Sequence, residues 1–192
     1  GSSTWIEKYL HNNNYSIKPN DGGGECLFYT IRDGLAGIDR NVTVEEMRKI
    51  LAANVTQDIF DGYRGQSIDG ARELKNLKKE LSELAKDHNL LKSKLKQTND
   101  RELQQVIVEQ ASEIVIRHKQ ARKEKKRAEQ LIQEFGFMKG ITTIDAFRAV
   151  LQTSTFWGDT WAISTLEREL NIKLVLFSSA AYHQDDIDNV LQ

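Results

Sequence analysis

The apolar positions change their spacing along this chain, and each change marks an element. Trp5, Ile6, Tyr9 and Leu10 lie at helical intervals before a polar run at 11–14, which predicts a short first helix. After a glycine-rich stretch, Leu27, Phe28, Ile31 and Leu35 recur with the same period, so a second helix starts at or beside Cys26 and runs to about Leu35. Thr43-Val44-Glu45-Glu46 is a capping box: the threonine accepts from the backbone of Glu46, and the glutamate reaches back. Val44, Met47, Ile50 and Leu51 follow on one face, and Thr56 to Tyr63 reads as a further short helix with Ile59, Phe60 and Tyr63 inward.

Between about Gln66 and Phe137 the period shortens to that of a heptad seam. Leu74, Leu77, Leu81, Leu84, His88, Leu91 and Leu95 alternate at intervals of three and four. Thr98-Asn99-Asp100 supplies turn and capping residues, after which Ile107, Ile114, Ala121, Ala128 and Phe135 recur every seven. Two long helices joined by so short a connection must be antiparallel, each roughly 45 to 55 Å long at 1.5 Å per residue.

The last third returns to globular patterning. Thr142 and Thr143 can cap a helix carrying Ile144, Phe147, Val150 and Leu151, and Asp159 can cap another with Ile163, Leu166 and Leu170. Ile172 to Phe177 is nearly all apolar and predicts a strand central in a sheet. The expected class is therefore α+β, with a sheet for which this chain supplies few strands. Residues 4–65 and 138–192 would form the core and 66–137 an inserted helical hairpin, while Gly1-Ser2-Ser3 has the character of an engineered leader and is left out of the fold.

Composition narrows the partners. Lys and Arg number 27 against 28 Asp and Glu, a formal net charge of -1, which gives no global attraction for nucleic acid or an anionic membrane. A single cysteine excludes an internal disulfide, and no apolar run reaches spanning length, so an intracellular setting is expected. Seven Lys or Arg fall between Arg117 and Arg127 without interleaved aromatics. They read first as a solvated helix face, and second as an arm that grips an acidic protein.

The chemistry concentrates in Pro19-Asn20-Asp21-Gly22-Gly23-Gly24-Glu25-Cys26-Leu27-Phe28, which holds the chain's only proline and only cysteine. A helix N-terminus carries partial positive charge and favours thiolate over thiol. Attack of a thiolate on a carbonyl builds an oxyanion, and glycines let backbone N–H groups converge on it without obstruction. Cys26 is the candidate nucleophile, and the amides of Gly22, Gly23 and Gly24 are the candidate oxyanion donors. The bland alternative is a small buried cysteine behind a flexible turn.

These residues resemble the active-site segment of the ovarian-tumour (OTU) family of cysteine proteases, commonly Asp-Gly-Asn-Cys-Leu-Phe, in a longer glycine-rich form similar to those of large DNA viruses. Phe156-Trp157-Gly158-Asp159 and the helix and apolar run after it resemble that family's Trp-Gly turn, helix and central strand. The resemblance implies an α/β papain-like core, hydrolysis of isopeptide or peptide bonds at the C-terminus of ubiquitin or a ubiquitin-like protein, and a host-cytoplasmic or virion location. It implies no cofactor, metal, nucleic acid or membrane. Asp21 would organise the loop, although it lies five residues before Cys26 where the family has three. Glu25, directly before the thiol, would oppose its ionisation if it faced it.

The family's general base is a histidine well beyond the central strand, so the resemblance puts it past Gln192. His88 sits on the heptad seam, His118 in the basic run and His11 in an asparagine-rich turn, while His183 follows the apolar run too soon. The competing reading is a catalytically inactive OTU-like or coiled-coil interaction module.

Overall fold

The computed structural model describes residues 4–11, 14–20 and 22–192. Their helices are α1 (Trp5–Leu10), α2 (Cys26–Ala36), α3 (Val44–Asn54), α4 (Gln57–Gln97), α5 (Arg101–Glu134), α6 (Ile144–Leu151), α7 (Thr160–Leu170) and α8 (Ser179–His183), with short 3-10 turns at Gly23–Glu25, Gly136–Met138 and Ile187–Asn189. The chain divides into two units, one of 1–55 with 148–192 and one of 56–147.

The α+β expectation, with its truncated papain-like sheet, is overturned. Among the described residues the β pairing consists of one antiparallel bridge, Phe177 with Leu191. Ile172 to Phe177 is not a strand. Its first backbone groups turn to α7: the Ile172 N–H donates to the Glu167 carbonyl, and the Leu174 N–H to Glu167 Oε1 at 2.9 Å. Farther on, Ser178 N–H donates to Val190 O and Gln192 N–H to Leu176 O, closing only the bridge. Val175 is 58% exposed, as a strand buried on both faces could not be. A short apolar run does not by itself distinguish a sheet from a half-buried extended segment, because periodicity is silent about partners.

In the first unit, α2, α3 and α7 bury Phe28, Ile31, Leu35, Met47, Leu51, Ala162, Leu166 and Leu170, joined by Leu151, Phe156 and Val190. The caps follow the sequence. Thr43 Oγ1 accepts from Glu46 N–H at 3.1 Å while Glu46 Oε2 accepts from Thr43 N–H at 2.7 Å, and Asp159 Oδ1 accepts from Ala162 N–H at 2.9 Å. Asn171 stops α7 in the left-handed region, with φ 52°. At the other edge, α1 lays Trp5 against Tyr182 (5.4 Å between ring centres) and Tyr9 against Phe177 (6.0 Å).

The second unit is the antiparallel pair α4 and α5. The segment Thr56 to Tyr63 is not a separate short helix, because α4 continues without a break for 41 residues. Tyr63 explains the continuity, since its ring packs 5.2 to 6.0 Å from those of Phe135, Phe137 and Phe147 and so anchors α4 where the sequence suggested a junction. Higher up, Leu77, Ala121 and Ala128 are buried between the helices with Leu74 and Leu81 against them. Asp100 starts α5, accepting from the N–H groups of Glu102 and Leu103.

Candidate active site

Cys26 is the first residue of α2 and its side chain is exposed. The buried-cysteine alternative is thereby removed. The preceding loop is one that glycine alone builds at low cost, because Gly22 and Gly23 have φ of 66° and 72°. Gly24 is required for a different reason: a Cβ there would stand 2.6 Å from the Ser154 carbonyl oxygen and 2.7 Å from Trp157 Nε1. One step along, a Cβ on Gly158 would collide with Leu27. The glycine–cysteine segment and the Trp-Gly segment, more than a hundred residues apart in sequence, are therefore in direct contact.

Two further residues hold the loop. Asn20 Nδ2 donates to the Cys26 carbonyl at 3.2 Å and to Thr30 Oγ1 at 2.9 Å, while Asn20 Oδ1 accepts from the Gly22 N–H at 3.1 Å. The second is Arg48, on the inner face of α3 and 3% exposed. Its Nη1 donates to the carbonyls of Leu151 (3.0 Å) and Phe156 (3.1 Å), and its Nε to Glu25 Oε2 (3.3 Å). Nη2 lies 3.0 Å from the same carboxylate oxygen, close enough for charge attraction but off the hydrogen-bond direction. The guanidinium also covers the Phe28 ring at 4.2 Å.

Arg48 thus ties the residue before the thiol to the two ends of the 151–156 turn. It engages the Glu25 carboxylate, which the sequence left facing an unknown direction. Neither Arg48 nor Asn20 was singled out from sequence. Arg48 did leave a signal, a charge beside Met47 and four residues before Ala52 on an otherwise apolar face, whereas Asn20 left none beyond its place before the glycines.

The candidate oxyanion donors are narrowed. Gly22 N–H is taken by Asn20, and Cys26 N–H donates to the Gly23 carbonyl within the 3-10 turn. Of the loop amides, Gly23 and Gly24 are not committed by these bonds. Asp21 lies outside the described residues. His183 packs its ring against Trp5 and Tyr182, and among the described residues no histidine is hydrogen-bonded to Cys26. No group of three or more His, Cys, Asp or Glu side chains is arranged among them to hold a metal ion, and no helix is long and apolar enough to cross a membrane. No protein-family model, curated protein or solved structure matches the chain.

Proposed function

We propose that this chain carries the nucleophile of a thiol hydrolase acting at the C-terminus of ubiquitin or a ubiquitin-like protein. The observation that carries the reading is the exposed thiol at the start of α2, behind a positive-φ glycine loop clamped by Arg48 and by the Trp157-Gly158 segment. The choice of substrate rests on the resemblance of Asp21 to Phe28 to the OTU active-site segment, and no part of it rests on a papain-like sheet.

In the proposed reaction, the Cys26 thiolate attacks the carbonyl carbon of the scissile amide, and the oxyanion forms beside the Gly23 and Gly24 amides. The C–N bond then breaks, and the amine leaves with the proton that the general base took from the thiol. Water, deprotonated by the same base, hydrolyses the thioester, releasing the ubiquitin carboxylate and restoring the thiol. The base is proposed to be a histidine from sequence following Gln192.

The test is a ubiquitin–propargylamide probe, whose alkyne captures an active thiolate as a vinyl thioether. It is applied to this chain and to one extended beyond Gln192, with Cys26→Ala as the control for each. Labelling of the extended chain, lost in Cys26→Ala, supports the reading. Absence of labelling in both chains overturns it and leaves the interaction module.

A further inference from the structure

The two halves of the α4–α5 hairpin are finished differently. Near its base the seam is sealed, with Leu77, Ala121 and Ala128 buried and Arg117 of α5 bridging Glu80 of α4. Toward the turn at 98–100, apolar side chains are left outside: Leu90 of α4 is 54% exposed, and Leu103 and Val106 of α5 are 47% and 48% exposed. Leu103 and Val106 line a groove of about 400 Å³ together with Leu91, Lys94 and Gln110, with the buried Ile107 beneath, and Leu90 stands one turn before Lys94 on α4.

Beside this groove the two helices differ in charge, since 86–94 of α4 carries three lysines and one acid, Asp87, whereas 102–116 of α5 is acidic. On α4, Lys86 and Lys94 stand one turn before and one turn after Leu90. On α5, Glu102 stands one turn before Val106 and Glu113 two turns after it. Across 102–116, α5 has no basic residue at all. None of these four charges is in an ion pair among the described residues.

The heights along the hairpin also match. Counting outward from the turn, Lys94 is level with Gln104, Leu90 with Val108 and Lys86 with Ser112, which leaves Glu102 and Val106 about 3 Å and Glu113 about 1.5 Å from the matching heights. A two-fold axis along the hairpin leaves each residue's height unchanged and sets α4 of one copy beside α5 of the other. The operation therefore places Leu90 beside Val106 of the second copy, with Lys94 opposite Glu102 and Lys86 opposite Glu113. We propose that the distal groove is a self-association surface, closed by the same groove of a second copy of this chain as an antiparallel four-helix bundle.

Self-complementarity decides the occupant: one surface supplies both the donor edge and the acceptor edge, as an isologous interface requires. The full chain is examined by sedimentation equilibrium from about 1 to 200 µM, with helicity followed in parallel. The parent chain is expected to dimerise. Leu90→Glu, at an exposed position, should yield a monomer with unchanged helicity. The pair Lys86→Glu with Lys94→Glu, and the pair Glu102→Lys with Glu113→Lys, should each weaken self-association at least tenfold. Equimolar mixing of these two variants should restore a dimer, because every edge then meets its opposite. A parent chain that stays monomeric throughout overturns the proposal. So does a dimer indifferent to both charge-reversed pairs, since its contact must then lie elsewhere.

Discussion

Replacing Arg48 by Met keeps the length and apolar stem of the side chain while deleting its charge and donors. The guanidinium is 3% exposed, so its partners have little water to turn to. Removing one member of a buried ion pair costs about 3 to 5 kcal/mol. The lower end applies because the Glu25 side chain keeps 21% of its surface and is partly rehydrated. The Leu151 and Phe156 carbonyls each lose a charged donor, at about 1 kcal/mol apiece for the orphaned acceptor. These losses share one site and overlap, so the expected destabilisation is about 4 kcal/mol. At an m-value of about 2 kcal/mol per molar, the urea midpoint falls by about 2 M.

Tryptophan fluorescence is the suitable probe, because Trp5, Trp157 and Trp161 all belong to the unit that contains Arg48. Arg48→Lys retains the charge but offers one compact ammonium to three acceptors in different directions, and about half the loss is expected. A cost below about 1 kcal/mol for Arg48→Met would refute the claim that this side chain pins the loop before Cys26.

Gly24→Ala should lower the rate of iodoacetamide alkylation of Cys26, since the new methyl must displace the Ser154 carbonyl and Trp157; an unchanged rate would separate the thiol's environment from that contact. Asp159→Ala removes the α7 cap and should cost about 1 kcal/mol by urea titration of tryptophan fluorescence. Hydrogen bonds from Arg117 hold the carboxyls of Glu80 and Glu124 below the usual glutamate range, with Gln120 adding to the effect on Glu124. A depressed carboxylate stabilises the fold above the unfolded pKa and loses that contribution as pH falls through the folded value. Hairpin helicity should therefore melt at lower temperature as pH drops from about 5 to 3, with a shallower fall in Arg117→Ala; equal slopes would remove these carboxylates as the cause.

What could be read from sequence was what depends on near neighbours. The Thr43 box, the Asp159 cap and the start of α2 at Cys26 are settled within four residues, and the heptads of α4 and α5 need only a short turn to find each other. Arg48 is the opposite case: two of its acceptors lie 103 and 108 residues away and are backbone carbonyls, which leave no trace in side-chain identity. Ile172 to Phe177 misled for a related reason. Its composition suits a strand, but a strand exists only where another is paired with it, and α7 captured the first amides through Glu167. The contact of Gly24 with Trp157 was legible only as two motifs in order, since nothing in either states that they touch.

The uninterrupted course of α4 has a mechanical consequence. A junction near Gln66 would have absorbed bending, so that forces at the turn around Asn99 stayed local. A single helix of 41 residues, braced along its length by α5, behaves instead as a stiff beam about 60 Å long. Tilting such a beam by about 5° at Gln57 carries its far end through about 5 Å, roughly the rise of one helical turn. A load applied at the turn is accordingly carried to the base of the hairpin, where Tyr63 packs against Phe135, Phe137 and Phe147.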